Sequence, residues 1–170
     1  METMENMLFE AAAEGNVNSL KKLLQEDPII LDRVIVNSYS DTPLHVAAIL
    51  GHIDFVVKVL LPADPLMCLA RDRNGLTPLH LAAIKGWIET VKQLVQANRD
   101  AAQVIVGQGQ TILHLCVKYY QIEALKHLVN TIRDQDFTNC KDSDGNTILH
   151  LTIAVNKLRE NLESKTKEKL

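Results

Sequence analysis

The sequence predicts an all-α solenoid of stacked helix pairs, with about four full units, a partial fifth, and turn or β-hairpin fingers between them. Three observations predict it. TPLH stands at 42–45 and 77–80, and TILH at 111–114 and 147–150, steps of about 35 residues that mark an internal repeat. Around each motif the agreement runs on in register, through DTPLHVAAILG (41–51), LTPLHLAAIKG (76–86), QTILHLCVKYY (110–120) and NTILHLTIAVN (146–156). A second apolar grid follows in each unit: Ile53, Val56, Val59 and Leu60, then Ile88, Val91, Leu94 and Val95, then Ile122, Leu125, Leu128 and Val129.

Taken in order, the first unit has Leu8, Ala11 and Ala12, then Gly15, then Val17, Leu20, Leu23 and Leu24. Asn6 and Phe9 stand where later units have threonine and histidine, as expected of an atypical end cap. In the second and third units Thr42 and Thr77 can cap a helix through their hydroxyls, and Pro43 and Pro78 take the first helical position, where a missing N–H costs nothing. Leu44, Ala47 and Ala48, like Leu79, Ala82 and Ala83, then fall at i, i+3 and i+4, one apolar stripe with small residues that lets a neighbour approach. Gly51 and Gly86 end these helices, and a second helix starts at once. Asp27-Pro28 and Asp64-Pro65 each start a short extra helix in the linkers. RDRNGLT (71–77) and KDSDGNT (141–147) carry the Asp, Asn and Gly of tight turns or hairpins.

The fifth unit departs from the grid. Positions 158, 161, 164 and 165 should be apolar but hold Leu158, Asn161, Ser164 and Lys165. The charged remainder therefore either extends the unit's first helix, with Leu151, Val155, Leu158 and Leu162 on one side, or frays into solvent. The expected division is a tail over 1–6, units over 7–36, 37–71, 72–105, 106–141 and 142–158, and a charged tail or helix extension over 159–170.

A chain of 170 residues that is 46% hydrophobic and 23% charged has a globular balance, and a net charge of −3 gives no broad attraction to nucleic acid or anionic lipid. Cys68, Cys116 and Cys140 are odd in number and lack CxxC spacing, which points to reduced thiols in the cytoplasm. The opening METMENMLFE has no basic then apolar order, so no secretory signal is read there, and no run approaches the roughly 20 apolar residues of a membrane span.

The TPLHxAAxxG core resembles the ankyrin repeat, in register across nearly the whole chain. The opening LFEAAAEGNVNSLKKLLQEDPIIL and linkers such as LPADPLMCLARD resemble more closely the plant ankyrin-repeat membrane proteins with a C-terminal PGG domain. That resemblance implies a part in defence, cell-death control or stress signalling, with the ankyrin region facing the cytosol ahead of membrane helices that this sequence does not hold.

Candidate chemistry is sparse. His45, His80, His114 and His150 at repeat spacing invite a zinc reading, but a translational repeat lays them in a row, whereas a metal needs ligands converging at one point. The alternative is that each ties its own helix start to the neighbouring finger. Cys116 occupies the small-residue slot of Ala47 and Ala82, and Asp72 and Asp142 occupy matching turn positions. No GxxxxGK[ST], GxGxxG or HExxH occurs. The sequence thus predicts no enzyme, no cofactor and no metal.

The resemblance implies binding on a concave groove lined by finger tips and first-helix ends, which here are Ser38, Tyr39 and Asp41; Arg73, Asn74 and Leu76; Gln108 and Gln110; Ile49, Leu50, Ile84, Lys85, Lys118 and Tyr119. Trp87 lies next along. Trp87 and Tyr119 are the expected anchors, because exposed aromatics dominate interface energetics. Trp87 could instead only cover a helix–turn junction, and Ile49 and Leu50 could pack beneath the linkers. The function expected is non-catalytic binding of a protein or peptide. The alternatives are self-association through the fifth unit and metal or small-molecule sensing by the histidine row.

Overall fold

A side-chain cap sets where the first helix starts. In a computed structural model, which describes residues 3–37, 41–55, 60–63 and 65–167, the Thr3 hydroxyl accepts the Asn6 N–H at 3.3 Å and opens α1 (Met4–Glu14). Met4–Asn6 of the expected tail are therefore helical, because Thr3 supplies a cap one turn ahead of the repeat register. Gly15 ends α1 at φ 67°, and α2 (Val17–Glu26) packs back on it. The linker holds α3 (Ile30–Asn37), whose start is tied by the Asp27 carboxylate accepting the Ile29 N–H at 3.2 Å. The second unit supplies α4 (Pro43–Leu50), α5 (Ile53–Phe55), α6 (Leu61–Ala63) and a 3-10 turn at Pro65–Leu69. The third supplies α7 (Pro78–Lys85) and α8 (Ile88–Ala97), followed by a 3-10 turn at Arg99–Gln103. The fourth supplies α9 (Ile112–Lys118), α10 (Ile122–Ile132) and α11 (Gln135–Thr138). The chain closes with α12 (Ile148–Lys167).

The first helices pack in series, α1 on α4, α4 on α7, α7 on α9 and α9 on α12. Their stripes of small and branched residues make this approach close: Leu44, Ala47, Ala48, Leu79, Ala82, Ala83, Leu113 and Cys116 are all fully buried. Leu60, Val91, Leu94, Val95 and Leu128 add the second helices to the same continuous core. Val56 and Val59 of the expected grid lie outside the described residues.

Two open alternatives are resolved. The fingers are tight turns; among the described residues the only ladder pairing is an isolated bridge between Val106 and Gln110. The reason is local: the Asp72 carboxylate accepts the N–H groups of Asn74 and Leu76, both at 2.8 Å, and the Asp72 N–H donates to Leu76 O, so these five residues satisfy themselves. Asp142 does the same with Asp144 and Asn146. At the C-terminus the charged segment continues α12 as one helix, since Asn156 and Lys157 stand where Gly86 and Trp87 break the third unit.

Candidate functional site

Each TPLH or TILH motif builds a latch between units. The Thr42 N–H donates to His45 Nδ1 at 3.0 Å, and the Thr42 hydroxyl lies 2.8 Å from the same nitrogen. A backbone N–H only donates, so Nδ1 is an acceptor and the ring is the neutral Nε2–H tautomer. That Nε2 donates across to Leu76 O of the next finger at 3.1 Å. His80 repeats the arrangement with Thr77 and Val104 O, and His114 with Thr111 and Asn146 O. Burial, opposed in part by these hydrogen bonds, lowers the pKa of His45 and pushes that of His80 down to about 4. With both ring nitrogens engaged, these three histidines have no lone pair left for a metal.

A second set of ties was not foreseen. The residue after the helix-breaking slot, which holds Gly51, Gly86 and Tyr120 in the second, third and fourth units, reaches back to the preceding unit: His52 Nε2 to Ala13 O at 2.9 Å, Trp87 Nε1 to Ile49 O at 3.1 Å, and Gln121 Nε2 to Ile84 O at 3.0 Å. His52 is thus tied to the first unit and is not a free surface side chain. The glycines make room for them. A Cβ on Gly15 would sit 2.8 Å from the His52 ring, and one on Gly51 2.8 Å from the Trp87 indole. Trp87 thus covers the helix–turn junction of the unit before it while remaining 45% exposed. No single residue type was required of the rung, only a donor, which is why the pattern is hard to see in the sequence.

The finger and helix positions come together over α4 and α7. Asp41, Ile49, Arg73 and Asn74 line a cleft of about 340 Å³ with His45, Val46, Asp72 and Leu81. Val46 and Leu81, one turn before the helix-end positions expected to bind, form its half-buried apolar floor. Asp72 is occupied by its own turn, whereas Arg73 and Asn74 are exposed. The neighbouring ridge of helix ends carries Leu50, Lys85, Lys118 and Tyr119 in solvent, with Ile84 half-buried, and Lys118 Nζ lies 6.0 Å from the centre of the Tyr119 ring. Leu76 and Gln110 contribute backbone rather than side chain: Leu76 O receives His45, and Gln110 O receives the Val106 N–H. Gln108, exposed at φ 62°, accepts the Ser143 N–H at 2.8 Å. Ser38 and Tyr39 lie outside the described residues.

The profile of ankyrin repeats, in three copies, matches residues 8–104, more than half of the chain. The chain belongs to the ankyrin-repeat family. Ankyrin repeats are protein–protein interaction modules without catalytic machinery of their own. Among curated proteins the chain is similar to Rabankyrin-5 of Homo sapiens and of Mus musculus, 26% identical over 112 residues in each case. The similarity covers 66% of this ankyrin-repeat chain and 9% of those proteins, so the chain matches under a tenth of their length.

Cys116 is a buried thiol within this ankyrin stack. Burial pushes the Cys116 thiol up to about 12, far from the thiolate that a nucleophile or metal ligand requires. Among the described residues no three His, Cys, Asp or Glu side chains cluster as metal ligands, and no helix is long and apolar enough to cross a membrane.

Proposed function

We propose that this ankyrin-repeat chain captures a protein or peptide in the cleft over α4 and α7 and along the ridge beyond it. The observation that carries the reading is a row of cations left without ion partners on that side, where the cleft's own carboxylates are the exposed Asp41 and the turn-bound Asp72. Arg73, Lys85 and Lys118 make no ion pair among the described residues, whereas Glu89 and Glu123 on the second helices are paired with Lys92 and Lys126. Beside these cations lie the apolar floor of Val46, Ile49 and Leu81 and the exposed Leu50 and Tyr119. The partner this favours is a segment that puts an apolar side chain into the cleft and acidic side chains on the ridge. The setting proposed is cytosolic, and the likeness of the opening segment and linkers to the plant PGG-domain proteins makes it defence or stress signalling.

Selection of displayed random peptides on the immobilised chain tests the reading. Enriched peptides should combine acidic residues with a Leu or aromatic residue, and Arg73→Glu with Lys85→Glu should weaken them about tenfold or more. Equal binding to that doubly substituted chain, with its melting unchanged, overturns the assignment. Trp87→Ala is a poor probe here, since it also removes the tie to Ile49 O.

A further inference from the structure

The fingers of the third and fifth units share one turn and differ at its middle residue. Asp72-Arg73-Asn74-Gly75-Leu76 and Asp142-Ser143-Asp144-Gly145-Asn146 occupy matching positions in the repeat. In the first, the Asp72 carboxylate accepts the N–H groups of Asn74 and Leu76, both at 2.8 Å; in the second, Asp142 accepts those of Asp144 and Asn146 at 3.0 and 2.8 Å. The Gly75 N–H donates to Asp72 O at 2.9 Å and the Gly145 N–H to Asp142 O at 3.0 Å, with the two glycines at φ 74° and 80°. One geometry therefore carries an amide at Asn74 and a carboxylate at Asp144. Asn74-Gly75 is also the one asparagine–glycine pair in the sequence. The Asn74 side chain is exposed and makes no hydrogen bond among the described residues. Beyond the chain neighbours, what stands nearest to the place of a Cβ on Gly75 is Arg71 Nη1 at 3.9 Å, the far end of a flexible side chain. No side chain walls off the Gly75 nitrogen, and the Arg71 guanidinium, donating to Gly75 O at 3.3 Å, is a positive charge beside it.

We propose that Asn74 is a site of spontaneous deamidation, which converts the third unit's finger into the chemical form of the fifth's. The Gly75 nitrogen gives its proton to hydroxide and bonds to Asn74 Cγ. The side-chain nitrogen takes a proton from water, which restores the hydroxide, and leaves as ammonia; a cyclic imide remains. Water then opens the ring. Attack at Cγ breaks the Cγ–N bond and yields aspartate, whereas attack at the Asn74 main-chain carbonyl carbon breaks the other C–N bond and yields isoaspartate. Water enters, ammonia leaves, and no oxidation state changes. The hydrogen bond from the Gly75 N–H to Asp72 O must break first, so the Asp72 turn paces the reaction. The aspartate product keeps the turn, since Asp142–Asn146 has the same geometry with a carboxylate in that place. Isoaspartate lengthens the main chain between Asp72 and Leu76, whose carbonyl receives His45, and so loosens the latch between the second and third units. Asn74 lines the cleft beside Arg73, so either product adds a carboxylate among the cations that an acidic partner would meet. That consequence rests on the proposed function; the chemistry does not.

Mass spectrometry of the full chain, kept in mildly alkaline buffer for several weeks and then digested in acid, tests this. The expected result is amide loss at Asn74 ahead of every other asparagine. It should vanish in Asn74→Gln, which would have to close a larger ring. It should quicken severalfold in Asp72→Ala, compared at a temperature where the circular dichroism of that variant matches the wild type. Asn74→Asp should melt within about a degree of the wild type and bind the selected acidic peptides about threefold more weakly. An amide retained at Asn74 over that time overturns the proposal. So does an unchanged rate in Asp72→Ala, or an Asn74→Asp chain that melts several degrees lower. Conversion at Asn74 with undiminished peptide binding by Asn74→Asp bears out the chemistry and counts against the cleft as the partner's seat.

Discussion

The third and fifth units carry nearly the same motif and differ in what lies beyond it. In the third, Leu79 and His80 are fully buried, Val104 O receives the imidazole, and Gly86 turns the chain so that α8 covers α7. In the fifth, Leu149 and His150 are exposed, the same Thr–His hydrogen bonds form, and the helix runs straight on. The motif therefore sets the conformation of a helix start, while burial is decided by whether another unit arrives. The fourth unit marks the change. Tyr120, at φ 59°, stands in the glycine slot, which is open to a side chain there because α12 brings no rung residue where His52, Trp87 and Gln121 block the earlier glycines. Among the described residues no side-chain donor from α12 reaches Lys118 O, although the three earlier equivalents, Ala13, Ile49 and Ile84, each accept one.

The comparison breaks most sharply at the shared leucine. Leu79→Ala should cost about 2 to 5 kcal/mol in a urea melt, whereas Leu149→Ala should cost less than about 0.5 kcal/mol. Equal losses would mean that the two positions are covered alike.

Acid should act through the buried histidines. His80, held at about 4 against an ordinary 6.5, binds a proton more readily unfolded than folded. Its stabilising contribution is therefore complete above about pH 6.5 and fades as pH falls toward 4, a loss of about 2 kcal/mol by pH 5. His45 is shifted in the same direction. Melts at pH 7.5 and 5 should show this slope in the wild type and a shallower one in His80→Asn, even though that variant is less stable throughout. An unchanged slope would place the acid sensitivity elsewhere.

Smaller effects sharpen the contrast at the glycine slot. Gly51→Ala combines a positive φ with a Cβ 2.8 Å from the Trp87 ring, for an expected cost of about 2 kcal/mol. Tyr120→Gly should run the other way and stabilise by about 0.5 kcal/mol, the relief of a left-handed tyrosine less the entropy of a free glycine. Calorimetry of the two variants checks both signs.

The helix pairs, their caps and the histidine ties to the next finger were legible because they rest on local rules repeated in register: Thr before Pro, small residues at i+3 and i+4, glycine at φ near 76° in Gly51 and Gly86. The rungs were not legible, since histidine, tryptophan and glutamine share only a hydrogen to donate. The cleft was half legible. Asp41, Ile49, Arg73 and Asn74 could be placed from the repeat register, but Val46 and Leu81 look like ordinary stripe residues until the turns of two neighbouring units stand over them. Of the two finger forms expected, turn or hairpin, the turn prevails because one aspartate side chain satisfies it from within.

By itself, the sequence determined the unit, its length, its helix starts and the order of stacking, because each depends on residues a few positions apart. Only the tertiary structure decided which copies of the motif are core and which are surface, because burial belongs to the neighbour: the same leucine and histidine are sealed at Leu79 and His80 and left in water at Leu149 and His150.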